Sequence, residues 1–119
     1  KQFDEFLSEG GSNMSGGQKQ RLSIARAIIK KPDIYIFDDS FSALDYQTDA
    51  KLRARLKLET KNAAVLIVAQ RVGTIMHADN IIVLNKGVVV AQGTHAELLK
   101  KSDVYYDIAS SQLSKEELE

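Results

Sequence analysis

The sequence contains no cysteine. That excludes disulfide cross-links and thiolate metal sites and is compatible with a reducing cytosol. It also lacks an excess of charge of either sign. Sixteen basic and sixteen acidic side chains cancel, which argues against a broad electrostatic footprint on nucleic acid. No long apolar run is present. The longest, residues 63–69, falls far short of the ~20 apolar residues that cross a bilayer. No basic start followed by an apolar stretch marks a secretory signal, and no internal repeat or low-complexity linker is found. What remains is 44% hydrophobic and 27% charged, the profile of a folded globular chain, and 119 residues make one domain at most.

Residues 1–14 read as a loop, with a Glu9-Gly10-Gly11-Ser12-Asn13 cluster. A helix is expected over residues 16–31. Ser15 and Gln18 form a capping box at its start, and Leu22, Ala25, Ile28 and Ile29 form an apolar stripe at helical spacing. Lys30 and Lys31 suit the end of the helix dipole, and the only proline, Pro32, stops it. Residues 34–37 and 63–69 are short apolar runs of the kind found in parallel strands covered on both faces. Between them residues 46–58, with Ala50, Leu52 and Leu56 among many charges, read as a crossover helix, so the order is strand, helix, strand. Residues 81–84 and 88–91 form a hairpin around Asn85-Lys86-Gly87. Thr94 and Glu97 make a second capping box for a helix through Lys101. Ser102 caps a last helix carrying Val104, Tyr105, Ile108 and Leu113, and residues 114–119 are polar and fray.

Two segments carry chemistry. In Met14-Ser15-Gly16-Gly17-Gln18 a hydroxyl and two glycines open a helix. Unpaired N–H groups there attract an anion, and Ser15 adds a hydroxyl donor for a phosphate oxygen. The alternative is an ordinary capped helix after a flexible loop. In Ile34-Tyr35-Ile36-Phe37-Asp38-Asp39 a strand delivers two carboxylates to its carboxyl end, where open α/β sheets place ligands. Asp38 is a candidate Mg²⁺ ligand and Asp39 a candidate for orienting or deprotonating a water. The alternative is a polar strand exit that caps the next turn.

These two segments, then Ser42-Ala43-Leu44-Asp45, then Gly93-Thr94-His95-Ala96-Glu97-Leu98-Leu99, together resemble the second half of an ABC transporter nucleotide-binding domain. The resemblance covers residues 5–113, and four motifs in this order and spacing are far more specific than any one of them. It implies an α/β fold. The core is part of a P-loop NTPase (RecA-like) domain with parallel strands and flanking helices, followed by a carboxyl-terminal hairpin and helices. By the resemblance Ser15, Gly16, Gly17 and Gln18 are the signature motif, which contacts the γ-phosphate of ATP held by the opposite domain of a head-to-tail dimer. Asp38 is the Walker B carboxylate and binds Mg²⁺, residues 42–45 with Asp45 are the D-loop, and Ala69-Gln70-Arg71 is the switch loop. Glu9 matches an acidic position that couples to the membrane domain in exporters.

The sequence departs from this family in three ways. The Gly-rich phosphate loop (Walker A), the adenine-stacking aromatic and the glutamine loop are missing, so the chain is expected to be the carboxyl-terminal portion of one domain. Its residues 1–31 would carry the signature loop and helix, and residues 32–119 the rest. Asp39 stands where the family has a catalytic glutamate, and Gln70 where it has a histidine. A carboxylate misplaced by about 1 Å costs on the order of 10²-fold in rate, and glutamine cannot become a cation. Together Asp39 and Gln70 resemble the degenerate half of a heterodimeric exporter, whose own site is slow and whose signature serves the partner's site. Met14, in place of the usual leucine, conserves volume.

The expected function is ATP binding and hydrolysis with Mg²⁺, driving export at the cytoplasmic face of a membrane. The partners would be a second nucleotide-binding domain and a transmembrane domain, and not nucleic acid. Alternatives are a non-hydrolysing ATP-gated interaction module and, further off, a DNA-repair or chromosome-organising ATPase. The remaining features read as structural. His77 and His95 are lone histidines, and Tyr105 and Tyr106 are partly buried core. Lys51, Arg53, Arg55, Lys57 and Glu59 form a solvated helix face, and Arg21 and Arg26 are candidate ion-pair formers.

Overall fold

The computed structural model describes residues 4–118. The first residues of the loop read at 1–14 and the last of the tail read at 114–119 lie outside them. The chain divides after Val68 into two compact units.

The first unit opens with a short 3-10 turn at Glu9–Gly11 and then α1 (Gly16–Ile29), β1 (Ile34–Asp38), α2 (Tyr46–Glu59) and β2 (Ala64–Val68). The capping box expected of Ser15 and Gln18 is formed in both directions. Helix α1 stops two residues before the expected end. Lys30 caps it and Lys31 turns into the left-handed region at φ 45°. Its buried stripe also differs from the expected one. Ile24 is buried and Ala27 and Ile28 pack beside it, whereas Leu22 and Ile29 are 48% and 80% exposed and Ala25 is exposed. Both stripes have helical spacing, and the strand and loops packed against α1 select the first.

Strands β1 and β2 pair in parallel from Ile34 opposite Ala64 to Asp38 opposite Val68. Tyr35 and Phe37 point inward and join Ile24, Phe41, Leu44 and Leu56 in the core. Ile34, Ile36, Val65, Leu66 and Val68 are exposed. The expectation of two covered faces therefore fails for the described residues. Successive side chains alternate across a strand, and the core of this unit covers one side of the pair.

In α2 the expected solvated face is only partly so. Arg53 is half-buried and binds the buried Asp49 carboxylate at 2.9 Å, while Arg55 pairs with Glu59 at the surface. Leu56 is buried, Leu52 partly so, and Ala50 exposed.

The second unit holds α3 (Val72–Ile75), β3 (Ile81–Asn85), β4 (Val88–Gly93), α4 (His95–Lys101) and α5 (Asp103–Ser110). The hairpin turns at Lys86 and Gly87, φ 49° and 80°, where positive φ at both central residues matches the twist of the flanking strands. The Thr94–Glu97 capping box and the Ser102 cap are formed. Val72, Ile81, Val83, Leu98, Tyr105 and Ala109 make the core. Tyr106 is exposed and outside it, and α5 ends before Leu113, which packs on this core from the following turn. The tail does not fray throughout. Ser114 and Glu117 cap a 3-10 turn at Lys115–Glu117, and Leu118 packs on the core.

Candidate phosphate-binding site

Helix α1 begins at two glycines. Its first-turn donors are partly consumed by its own cap. The Gln18 N–H donates to Ser15 Oγ at 3.2 Å and the Ser15 N–H to Gln18 Oε1 at 2.8 Å. The N–H groups of Gly16 and Gly17, at the first two helical positions, have no partner four residues back. They leave two backbone donors, the Ser15 hydroxyl hydrogen and the Gln18 Nε2 amide group for an anion at the positive end of the helix dipole. The capped-helix and phosphate-cradle readings of this segment are thus compatible, because the cap engages the N–H groups of Ser15 and Gln18 and their side-chain oxygens, and the cradle would use the remaining donors.

The glycines also let the helix approach its neighbour. A Cβ on Gly17 would stand 3.0 Å from the Ala43 carbonyl oxygen and 3.4 Å from Leu44 Cδ2, and one on Gly16 would stand 3.6 Å from Ala43 Cβ. The loop 39–45 therefore lies against the first turn of α1.

Asp38 ends β1 and Asp39 follows it with φ 48°. The Asp39 N–H donates to the Val68 carbonyl at 2.9 Å, extending the parallel ladder by one residue. Its carbonyl accepts from Ser42 Oγ at 3.1 Å and from Gln20 Nε2 at 3.2 Å. A non-glycine residue in the left-handed region costs about 1 kcal/mol or more, and these bonds on both sides of Asp39 hold it there. The two side chains are exposed at the strand's carboxyl end. Asp45 has a defined partner. It caps α2 by accepting the Thr48 N–H at 2.9 Å, and the Thr48 side chain and backbone together hold its carboxyl below the ordinary value.

Among the described residues no cluster of three or more His, Cys, Asp or Glu is placed to hold a metal. A Mg²⁺ ion that arrives with a nucleotide needs only one or two protein carboxylates, with phosphates and waters completing its shell, and Asp38 suits that share.

Gln70 lies in the second unit, just before α3, with its side chain exposed. Its carbonyl accepts from Gln112 Nε2 at 3.0 Å while Gln112 Oε1 accepts the Val72 N–H at 2.9 Å. His77 is exposed, and His95 Nδ1 meets the Tyr105 hydroxyl at 2.7 Å. Arg21 and Arg26, expected as ion-pair formers, are exposed and make no ion pair among the described residues. Glu9 sits in the 3-10 turn, exposed.

The sequence reading overlooked Gln20, Gln112 and Asp49. Gln20 did leave a signal, since it falls on the stripe of Gly17, Ile24, Ala27 and Ile28, a polar residue on the buried face. Gln112 left none.

The profile of the ABC transporter family matches residues 1–42. The uncharacterized ABC transporter ATP-binding protein YfiB of Bacillus subtilis is 48% identical over 114 residues, 96% of this chain and 20% of that protein. ATP-binding cassette sub-family B member 5 of Mus musculus is 43% identical over 112 residues, 94% of this chain and 9% of it. A bacterial Atm1-family ABC exporter solved with ATP bound superimposes with a TM-score of 0.87 at 33% identity, covering 95% of this chain and 20% of that one. Over nearly its whole length the chain is similar to the ATP-binding portion of ABC transporters. Covering 95% of the chain, the match to that exporter includes residues of both units. The chain spans about a fifth of the length of the bacterial ABC relatives it matches. No helix among the described residues is long and apolar enough to cross a membrane.

Proposed function

We propose that this chain is the carboxyl-terminal portion of an ABC exporter's ATP-binding domain, and that the full protein hydrolyses ATP with Mg²⁺ at the cytoplasmic face of a membrane to drive export. The observation that carries the proposal is the start of α1. The Gly16 and Gly17 N–H groups and the Ser15 hydroxyl hydrogen stand at a helix N-terminus that is packed against the loop following Asp38 and Asp39. In this reading Ser15, Gly16, Gly17 and Gln18 take the γ-phosphate of ATP held by a second nucleotide-binding domain, head to tail. Asp38 binds the Mg²⁺ of this domain's own ATP, and that cation neutralises phosphate charge. Asp39 orients water at the same site with a carboxylate one methylene short of glutamate, and Gln70 offers the γ-phosphate a neutral hydrogen bond. Asp45 closes the D-loop as the cap of α2. The shortened carboxylate and the neutral switch residue make this half the slow one of a heterodimer. The partners are then a second, competent domain and a transmembrane domain, and the balanced charge gives no footprint for nucleic acid.

The test is steady-state ATPase of the full-length dimer with Ser15→Arg. Arginine puts volume and charge where the γ-phosphate must approach, so turnover should fall on the order of 10²-fold, as for lost contacts to a transferring phosphoryl group. Unchanged turnover would remove the signature reading.

A further inference from the structure

Gln20 makes three hydrogen bonds with one amide. It stands on α1, half-buried, one turn past the glycines. Its Oε1 accepts the Ala43 N–H at 3.0 Å, and its Nε2 donates to the Asp39 carbonyl at 3.2 Å and to Ser42 Oγ at 3.1 Å. Ser42 Oγ in turn donates to the same Asp39 carbonyl at 3.1 Å. The amide orientation is fixed by chemistry, because the reverse would set an NH₂ group against the Ala43 N–H. The partners lie 19 to 23 residues away, so this is a tertiary clamp and not a helix cap. On the same face of α1, Gly16 and Gly17 rest against Ala43. The first turns of α1, the strained Asp39 backbone and the loop 42–44 are thereby joined into one piece.

The geometry points to Gln20 as a positioning residue that links the two nucleotide sites to which this chain contributes. The start of α1 serves the partner's ATP and Asp39 faces its own, an assignment that rests on the function proposed above. With the clamp intact, displacement of the helix start by a γ-phosphate reaches the Asp39 backbone, and the position of Asp39 reaches the helix start. Gln20 acts through the backbone it holds, since its Nε2 is already engaged by the Asp39 carbonyl and Ser42 Oγ. Its loss leaves the contacts that first bind ATP in place and loosens the geometry assembled when the dimer closes.

The test uses the full-length transporter carrying Gln20→Leu, which removes all three bonds, and Gln20→Glu, which keeps the acceptor for Ala43 and puts a carboxylate where Asp39 and Ser42 need a donor. Rates are normalised to ATP bound at saturation, so that misfolded protein does not count. Both variants should lower kcat and kcat/KM equally, on the order of 10-fold or more, with KM for ATP unchanged, the signature of an interaction realised only in the transition state. Ser42→Ala combined with Gln20→Leu should be less than additive, since both act on the Asp39 carbonyl. Normal turnover per bound ATP in Gln20→Glu, or a loss confined to KM, would overturn the inference. Ser15→Arg, measured alongside, separates the two claims. If it blocks turnover and the Gln20 variants do not, the linkage alone fails. If Ser15→Arg is also silent, the underlying reading fails with it.

Discussion

Gly17 lies so close to Ala43 that a single added methyl would stand 3.0 Å from the Ala43 carbonyl oxygen. The neighbour is backbone, not a side-chain tip, and the loop holding it is pinned by Gln20 and by the cap of α2. Gly17→Ala should therefore force the loop and helix apart by a few tenths of an ångström. The expected cost is about 1–3 kcal/mol of stability, as for overpacking elsewhere. Turnover should drop along with the thermal midpoint of the full-length protein. Gly16→Ala, whose Cβ would meet Ala43 Cβ at an ordinary 3.6 Å, is the control and should be close to silent in stability.

Asp39 and Gln70 should behave as one unit. On the function proposed above, Asp39→Glu would lengthen the carboxylate but leave the γ-phosphate without a histidine, and Gln70→His would supply the histidine but leave the carboxylate short. Turnover is to be read in a dimer whose other site is inactivated and whose partner signature is intact. Each single change should do little, and the double should exceed the product of the two. Equal turnover in all four proteins would clear these positions of blame for a slow site.

The proposed asymmetry can be measured. On that proposal Asp39→Asn alters the slow site and should cost the intact dimer little, whereas Ser15→Arg should block the competent one. Equal losses from both would refute an unequal pair of sites.

Acid should strip the helix starts. The carboxyls of Asp45, Glu97 and Glu117 are each held below their ordinary values, by Thr48, Thr94 and Ser114 respectively. A carboxyl with a depressed folded pKa stabilises fully above its unfolded value, 3.8 for Asp45 and 4.5 for the glutamates, and that stability is lost as pH falls through the folded value. Melting should thus be insensitive to these groups near neutrality and weaken below the ordinary carboxylate range. Glu97→Gln keeps the capping box without a titrating group, so its acid sensitivity should be shallower than the parent's in pH-dependent thermal melts.

The exposed side of the β1–β2 pair makes its own prediction. Ile36 is 66% exposed beside Ile34, Leu66 and Val68, an apolar face that water disfavours. The 119-residue chain by itself should self-associate, and Ile34→Lys with Ile36→Lys should reduce that. Sedimentation velocity giving a clean monomer for the parent would contradict it. The same chain should not hydrolyse ATP above background, because it carries no Gly-rich phosphate loop.

Local rules were readable along the chain. Ser15 with Gln18, Thr94 with Glu97, and Ser102 sit within three residues of the N–H groups they serve, so their sequence spacing was enough to name them. The Lys86-Gly87 turn and the strand–helix–strand order were equally plain, because side-chain period and turn chemistry act over a few residues. Choices between equivalent local options were not readable. Helix α1 offered two apolar stripes, and only packing against Tyr35, Phe37 and Leu44 chose Ile24 over Leu22. Asp39 in the left-handed region, Gln20 reaching to Ala43 and Gln112 holding Gln70 depend on residues 19 to 42 positions apart. Such contacts exist only once the backbone has brought distant donors and acceptors within about 3 Å, a condition that spacing along the chain does not encode.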